Sequence, residues 1–273
     1  MIPIEQELLW QTPFGRDPGK TGFYSSPGHQ EALARLTIMV KYRYLGVLTG
    51  EIGSGKSTLI RHFTQQLDPL QYQPVYVNTS NLKPRDFYSE VLQVLGEEPM
   101  ASLTKARRVW EHTLETRHEQ QDKALVIVID EAQDMSDTML LELRFITNHQ
   151  MDSVSLFPLI LAGQPELRRT LRLKKYEAIS QRVQLQYHLG ALTKEEAFAY
   201  IRHRMKSAEL STPIFAESAL LLAYSATQGI PRMINLICTQ VLYEAYHKNM
   251  DVIEENHVGR ILADMDRQRG AVV

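Results

Sequence analysis

Gly50-Glu51-Ile52-Gly53-Ser54-Gly55-Lys56-Ser57 is the stretch that decides the fold. It fits the phosphate-loop pattern G-x-x-x-x-G-K-[ST] without a departure. Gly50, Gly53 and Gly55 let the backbone turn tightly and approach phosphate oxygens with no Cβ in the way. The amides then form a concave anion nest at a helix N-terminus. Lys56 sets a point charge on the β- and γ-phosphates of a nucleotide, and the Ser57 hydroxyl is offered to Mg²⁺. Glu51, Ser54 and Thr58 fill out the nucleotide-binding stretch. The flanks agree: Tyr44 to Thr49 reads as a buried strand entering the loop, and Thr58 to Leu67 as a helix leaving it. A chance glycine-rich turn is the alternative, and it explains neither flank.

The 273 residues suffice for one large domain or two modest ones. With 44% hydrophobic and 23% charged residues, the chain has an ordinary soluble, globular composition. Its net charge of −2 means that any surface for nucleic acid must be locally positive. The single Cys238 excludes an intrachain disulfide and a cysteine zinc site, which fits a reducing compartment. His29, His149 and His203 show no metal-ligand spacing. No apolar run approaches the roughly 20 residues of a membrane span. The N-terminus lacks the basic start and apolar stretch of a signal peptide. A soluble, cytoplasmic protein is expected.

Residues 1–28 are rich in Pro, Gly and aromatics and read as an irregular arm that packs. His29 to Lys41 is expected to be a helix. Pro74 to Asn78 reads as a second strand, Pro84 to Leu95 and Leu103 to Gln120 as helices. Ala124 to Ile129 (Ala-Leu-Val-Ile-Val-Ile) is a continuous apolar run, the pattern of a central parallel strand. A helix over Leu140 to Asn148, a strand over Leu156 to Ala162 and a last strand over Gln184 to Leu189 follow. Alternating strands and helices imply an α/β fold with a central parallel sheet covered on both faces. From Thr193 onward the pattern is helical only, at about 193–208, 216–228, 231–247 and 254–268. Thr193-x-x-Glu196 is a capping box. The expected domains are therefore 29–190, a P-loop ATPase domain, and 191–273, a helical lid.

The run at 124–129 ends in Asp130-Glu131. A carboxylate at the C-terminal end of a central strand faces the phosphate loop in such sheets. Asp130 is expected to hold Mg²⁺ through its water shell, and Glu131 to polarise the attacking water. A solvated turn after a buried strand is the bland alternative, and the upstream loop weighs against it. Gln164, after the strand at 156–162, stands where a polar sensor would be needed; a plain loop glutamine before Pro165 is the alternative. Arg182, just before the last strand, is a candidate arginine finger for a neighbouring subunit's nucleotide, against a surface salt bridge. Arg232, in Gly-Ile-Pro-Arg, opens a lid helix and is a candidate γ-phosphate contact. An arginine at a helix N-terminus is otherwise disfavoured by the helix dipole.

Taken together, the phosphate loop, the strand ending in Asp-Glu, the polar sensor, the pre-strand arginine and Gly-x-Pro-Arg resemble an AAA+ P-loop NTPase. More narrowly, the chain resembles the ExeA/GspA-type ATPase domain. The segments that carry this are Phe23-Tyr24 with His29-Gln30-Glu31-Ala32-Leu33, Leu48 to Ser57, Ile129-Asp130-Glu131-Ala132-Gln133, and Leu161-Ala162-Gly163-Gln164-Pro165-Glu166-Leu167. The resemblance runs from about Phe14 to Met265, and Gly-Gln-Pro-Glu-Leu is its most specific piece. It implies ATP and Mg²⁺ as cofactors and a homo-oligomer, ring or filament. The family's secretion type supports assembly of a type II secretion pore and adds a membrane span and a peptidoglycan-binding region. Its stand-alone type is similar to the transposition regulators TnsC, TniB, IstB and MuB, which polymerise on DNA and present a target to a transposase. No span or further region follows in these residues, so the stand-alone type is the expectation.

Under that resemblance, Lys83, Arg85, Lys105, Arg107 and Arg108 would line a pore and touch duplex DNA phosphates without reading bases. Two solvated helix ends are the alternative. Arg168, Arg169, Arg172, Lys174 and Lys175 form a second basic stretch, open to a subunit interface. Three functions are in view: a DNA-dependent transposition regulator with a transposase partner, a secretion-type ATPase acting on proteins, and an initiator-type replication or repair ATPase.

Overall fold

A computed structural model of the chain describes residues 13–15, 22–98, 100, 102–147, 155–268 and 270. Most of the expected arm, and His149, lie outside the described residues. The chain divides into two compact units: 28–52 with 56–189, and 1–27 with 53–55 and 190–273.

The first unit runs α1 (Pro27–Lys41), β1 (Leu45–Gly50), α2 (Lys56–Gln66), β2 (Tyr72–Val77), α3 (Pro84–Val94), α4 (Leu103–Glu119) and β3 (Ala124–Ile129). A 3₁₀ turn (Ala132–Asp134), α5 (Asp137–Ile146), β4 (Leu159–Gly163), α6 (Pro165–Leu171), a 3₁₀ turn (Lys174–Tyr176), α7 (Glu177–Ser180) and β5 (Val183–Leu189) follow. All pairings are parallel, in the order β2-β3-β4-β1-β5. Every residue of β1 is buried, as is every residue of β3 after Ala124. Burying a branched aliphatic side chain contributes about 1.5–3 kcal/mol. A strand apolar on both faces is therefore stable only at the centre of a covered sheet. On one face Val47, Ile127 and Leu161 pack with Phe87, Trp110 and Leu143 of α3, α4 and α5. Trp110 meets Phe87 and Tyr88 edge-on, with ring centroids 5.9 Å apart in each case.

Several boundaries differ from expectation for local reasons. The strand expected from Leu156 starts at Leu159, because Pro158 has no N–H to give the ladder. The helix expected from Leu140 starts three residues earlier at Asp137, where Ser136 caps it by accepting from Met139 N–H at 3.2 Å. The helix after the phosphate loop begins at Lys56 rather than Thr58. Helix α6, with Pro165 at its first turn, was not expected at all.

The second unit holds α8 (Lys194–Ser207), β6 (Ile214–Phe215), α9 (Glu217–Thr227), α10 (Pro231–His247), β7 (Val252–Ile253) and α11 (Glu255–Gln268). The capping box opens α8: Thr193 N–H donates to Glu196 Oε2 at 2.8 Å, and Glu196 N–H to Thr193 Oγ1 at 3.3 Å. Ala219, Leu220, Ile234, Cys238 and Val258 form its core. Phe14 joins that core, and its ring meets Phe215 at 6.5 Å. The buried Arg204 donates to the Pro13 and Gly15 carbonyls, which ties this piece of the arm to the helices.

Candidate functional site

Parallel pairing brings three strand ends level. Thr49 of β1 lies beside Gly163 of β4, and Ile129 of β3 beside Leu161 of β4. The residues that follow each end therefore emerge at the same edge of the sheet, where ligands bind in open α/β folds.

Lys56 is the first residue of α2 and is buried; its ammonium donates to the carbonyls of Gly50 at 2.7 Å and Glu51 at 3.0 Å. Gly53 and Gly55 have φ of +83° and +101°, which a residue with a Cβ adopts only at a cost, so the concave turn depends on them. Glu51 and Ser57 are exposed, and Thr58 is half-buried. The Ser57 hydroxyl donates to Asp130 Oδ2 at 2.8 Å. Asp130 Oδ1 accepts from Glu131 N–H at 2.9 Å. Gln133 Nε2 donates to Glu131 Oε2 at 2.8 Å, and Gln164 N–H donates to Gln133 Oε1 at 2.9 Å. A continuous chain of hydrogen bonds thus joins the phosphate loop to the end of β4. Lys56, Ser57, Asp130, Glu131 and Gln164 were expected from the sequence, and the fold brings them together.

Two members were missed. Tyr76, on the edge strand β2, also donates to Asp130 Oδ2. Burial, and then the Asp130 bond, pushes its phenol well above the ordinary value, so it stays a neutral donor. Its sequence signal is an aromatic one residue before the end of the strand. Gln133 closes the stretch Ile129-Asp130-Glu131-Ala132-Gln133, where nothing local marks its partner at Gln164.

The remaining candidates stand outside that series of hydrogen bonds. In the second unit, Arg232 is exposed near the start of α10, and its backbone N–H donates to the Gly53 carbonyl at 3.2 Å. Arg182 Nη1 donates to the Arg144 carbonyl at 2.8 Å and to Thr147 Oγ1 at 3.4 Å. It thereby caps the carbonyl end of α5, where a cation is favoured. Lys83, Arg85, Lys105 and Arg108 are exposed at the starts of α3 and α4. Arg107 differs from its expected role as a DNA contact. It forks onto the buried Glu142, with Nε 2.6 Å from Oε1 and Nη2 on Oε2. Tyr88 Oη donates to the same carboxylate at 2.8 Å. A buried carboxylate needs a cation and donors around it, so this guanidinium is committed to the fold.

The residues present fit a Mg²⁺–nucleotide. Ser54 Oγ, in the phosphate loop, is buried without a hydrogen-bond partner. Ser57 and Asp130 present hard oxygens side by side, as Mg²⁺ prefers. No group of three or more His, Cys, Asp or Glu among the described residues could hold a metal unaided. Mg²⁺ usually takes only one or two protein ligands and completes its shell with phosphates and water. No helix among the described residues is long and apolar enough to cross a membrane.

Residues 38–171 match the family model of an AAA domain. The chain is 33% identical over 242 residues to general secretion pathway protein A of Aeromonas hydrophila. That alignment covers 87% of this chain and 44% of the relative, so the chain spans less than half the relative's length. Among solved structures, it is similar to the ORC2 protein of Aeropyrum pernix in its ADP form: TM-score 0.68, 16% identity, 93% of this chain and 72% of that one. It is also similar to Cdc6p from Pyrobaculum aerophilum: TM-score 0.67, 15% identity, 89% of this chain and 68% of that one. The fold is the α/β AAA+ fold, with a five-stranded parallel sheet and a C-terminal helical region.

Proposed function

We propose that this AAA-domain chain is a Mg²⁺-dependent ATPase that assembles with copies of itself and acts on protein partners in a secretion-type process. The observation that carries the ATPase reading is the hydrogen-bonded series Ser57–Asp130–Glu131–Gln133–Gln164 at the sheet edge. Bound Mg²⁺ supplies charge neutralisation on the phosphates. The Lys56 ammonium leaves the Gly50 and Glu51 carbonyls for phosphate oxygens, a charge-assisted contact of greater strength. Ser57 and Asp130 would hold the cation, Asp130 through its water shell. Glu131 orients the attacking water, and its carboxylate accepts the water's proton. Gln164 is tied to that carboxylate through Gln133, which accepts from the Gln164 backbone N–H. Arg232, next to Gly53, and Arg182, from a neighbouring copy, add positive charge to the phosphates.

The secretion reading is supported by the similarity to general secretion pathway protein A. It is better supported than the transposition reading, which rests on the lack of a further region in these residues and on family resemblance; of the basic residues named for DNA, Arg107 is committed to Glu142. The four exposed cations Lys83, Arg85, Lys105 and Arg108 leave a DNA test worth making. The purified chain is first shown to hydrolyse ATP with Mg²⁺, and Lys56→Ala to abolish this. Duplex binding is then measured at about 50 mM salt, with and without ATP. Hydrolysis without ATP-dependent duplex binding is the expected result. Sequence-independent, ATP-dependent retention that falls steeply with salt would overturn the protein-directed reading and restore the DNA-directed one.

A further inference from the structure

Gln133 stands in the 3₁₀ turn after β3 and uses both ends of its amide. Nε2 donates to Glu131 Oε2 at 2.8 Å, and Oε1 accepts from Gln164 N–H at 2.9 Å. The orientation is forced by chemistry. Only the nitrogen can donate to a carboxylate, and only the oxygen can accept from a backbone N–H. No other side chain of this length carries a donor and an acceptor on one rigid plane. Glutamate would have no proton for Glu131, lysine no acceptor for Gln164, and leucine neither.

Two backbone features are arranged around this amide. Glu131 adopts the left-handed conformation, φ 48° and ψ 40°, which is strained for a residue with a Cβ and persists only where the surroundings hold it. Gly163 leaves room for the Gln133 side chain: a Cβ there would lie 2.7 Å from Gln133 Oε1 and 3.2 Å from its backbone nitrogen. The strand end that precedes Gln164 is therefore shaped to let Gln133 reach across from β3 to β4.

We propose that Gln133 is a positioning residue that locks the Glu131 carboxylate to the β4–α6 turn, so that the proton acceptor and Gln164 keep one fixed geometry. The proposal rests on the ATPase reading for its kinetic consequence and on geometry alone for the tie itself. Its role is to hold Glu131 where the water is activated, without touching the nucleotide. Loss of Gln133 should therefore act on the chemical step and leave binding alone.

The test uses Gln133→Met, which keeps bulk and removes both bonds, Gln133→Glu, which keeps the acceptor and removes the donor, and Gly163→Ala. Hydrolysis, nucleotide affinity and amide hydrogen exchange at Gln164 are measured on each. Gln133→Met should lower kcat about tenfold or more, the size of one lost bond to a charged group, with KM and nucleotide affinity unchanged. Its Gln164 amide should exchange faster. Gln133→Glu should lose kcat to the same degree while its Gln164 amide stays protected. Gly163→Ala should resemble Gln133→Met, and the double variant Gly163→Ala/Gln133→Met should be no worse than Gln133→Met alone. Wild-type or raised kcat in Gln133→Glu, or loss of kcat, affinity and thermal stability together in Gln133→Met, overturns the proposal. Should the wild-type chain hydrolyse no ATP, the ATPase reading fails by itself. Gln164 exchange then decides the tie, and unchanged exchange in Gln133→Met overturns it.

Discussion

The Ser57 hydroxyl donates to Asp130 Oδ2 at 2.8 Å, across 73 positions of sequence. One residue opens α2 and the other follows β3, so the bond forms only when the sheet does. It sets the two oxygens expected to hold Mg²⁺ side by side. Ser57→Ala should weaken Mg²⁺-dependent nucleotide binding about tenfold, while Lys56→Ala should lower it a hundredfold or more, about the worth of a charge-assisted contact. Titration of a fluorescent nucleotide with and without Mg²⁺ checks both. Equal binding by all three proteins would remove the phosphate-loop assignment.

Glu131→Gln should keep nucleotide affinity and lose hydrolysis by about 10²–10⁴, the usual contribution of a general base. The amide retains the shape of the carboxylate but cannot accept the water's proton. Single-turnover hydrolysis measures this; turnover at the wild-type rate contradicts the role.

Arg182 caps the end of α5 within its own chain. Its release from the Arg144 carbonyl should cost the helix end no more than about 1 kcal/mol. Arg182→Ala should thus melt within a few degrees of wild type, yet lose assembly-stimulated hydrolysis if the guanidinium acts in a neighbour's site. Mixing Arg182→Ala with Lys56→Ala chains should restore part of the activity, because each supplies what the other lacks. An inactive mixture that still assembles speaks against the finger.

Arg107→Ala should destabilise the first unit by about 2–3 kcal/mol, because among the described residues the buried Glu142 is then left with Tyr88 as its donor. Calorimetry of the single variants and of Arg107→Ala/Glu142→Ala measures the coupling. The double variant should recover part of the loss, since no buried charge is then orphaned. An unaffected melting temperature for Arg107→Ala would return this residue to the surface.

Gly229 has φ of +75°, and a Cβ there would fall 2.0 Å from the Leu192 carbonyl oxygen. The same pair is closed by Leu192 N–H donating to the Gly229 carbonyl at 2.9 Å. Gly229→Ala should cost about 1–3 kcal/mol for the backbone conformation alone, and more for the clash. Denaturant melts followed by circular dichroism should show the loss.

One unbroken apolar run sufficed to read Ala124 to Ile129 as a central strand, and it forms β3 between the same two residues. Asp130 and Glu131 were legible for the same reason, since a buried strand that ends in two carboxylates must deliver them to the sheet edge. The phosphate loop was legible because its chemistry is local: the glycines, Lys56 and Ser57 act within one turn. The capping box at Thr193 and Glu196 is likewise a local device. Gln133 was not legible, because its meaning lies in a bond to Gln164 made 31 positions away. Nothing in the pattern of α4 showed that Arg107 meets Glu142, which lies 35 positions on in another helix.

The sequence by itself determined the alternation of strands and helices, the phosphate loop and the carboxylates after β3, because these follow from periodicity and from residues that act on near neighbours. Only the tertiary structure decided which strands are adjacent, which cation meets a buried carboxylate, and that one glutamine bridges the ends of β3 and β4. Those outcomes depend on register and burial, and burial sets the energy of a charge or an amide according to partners that no local pattern names.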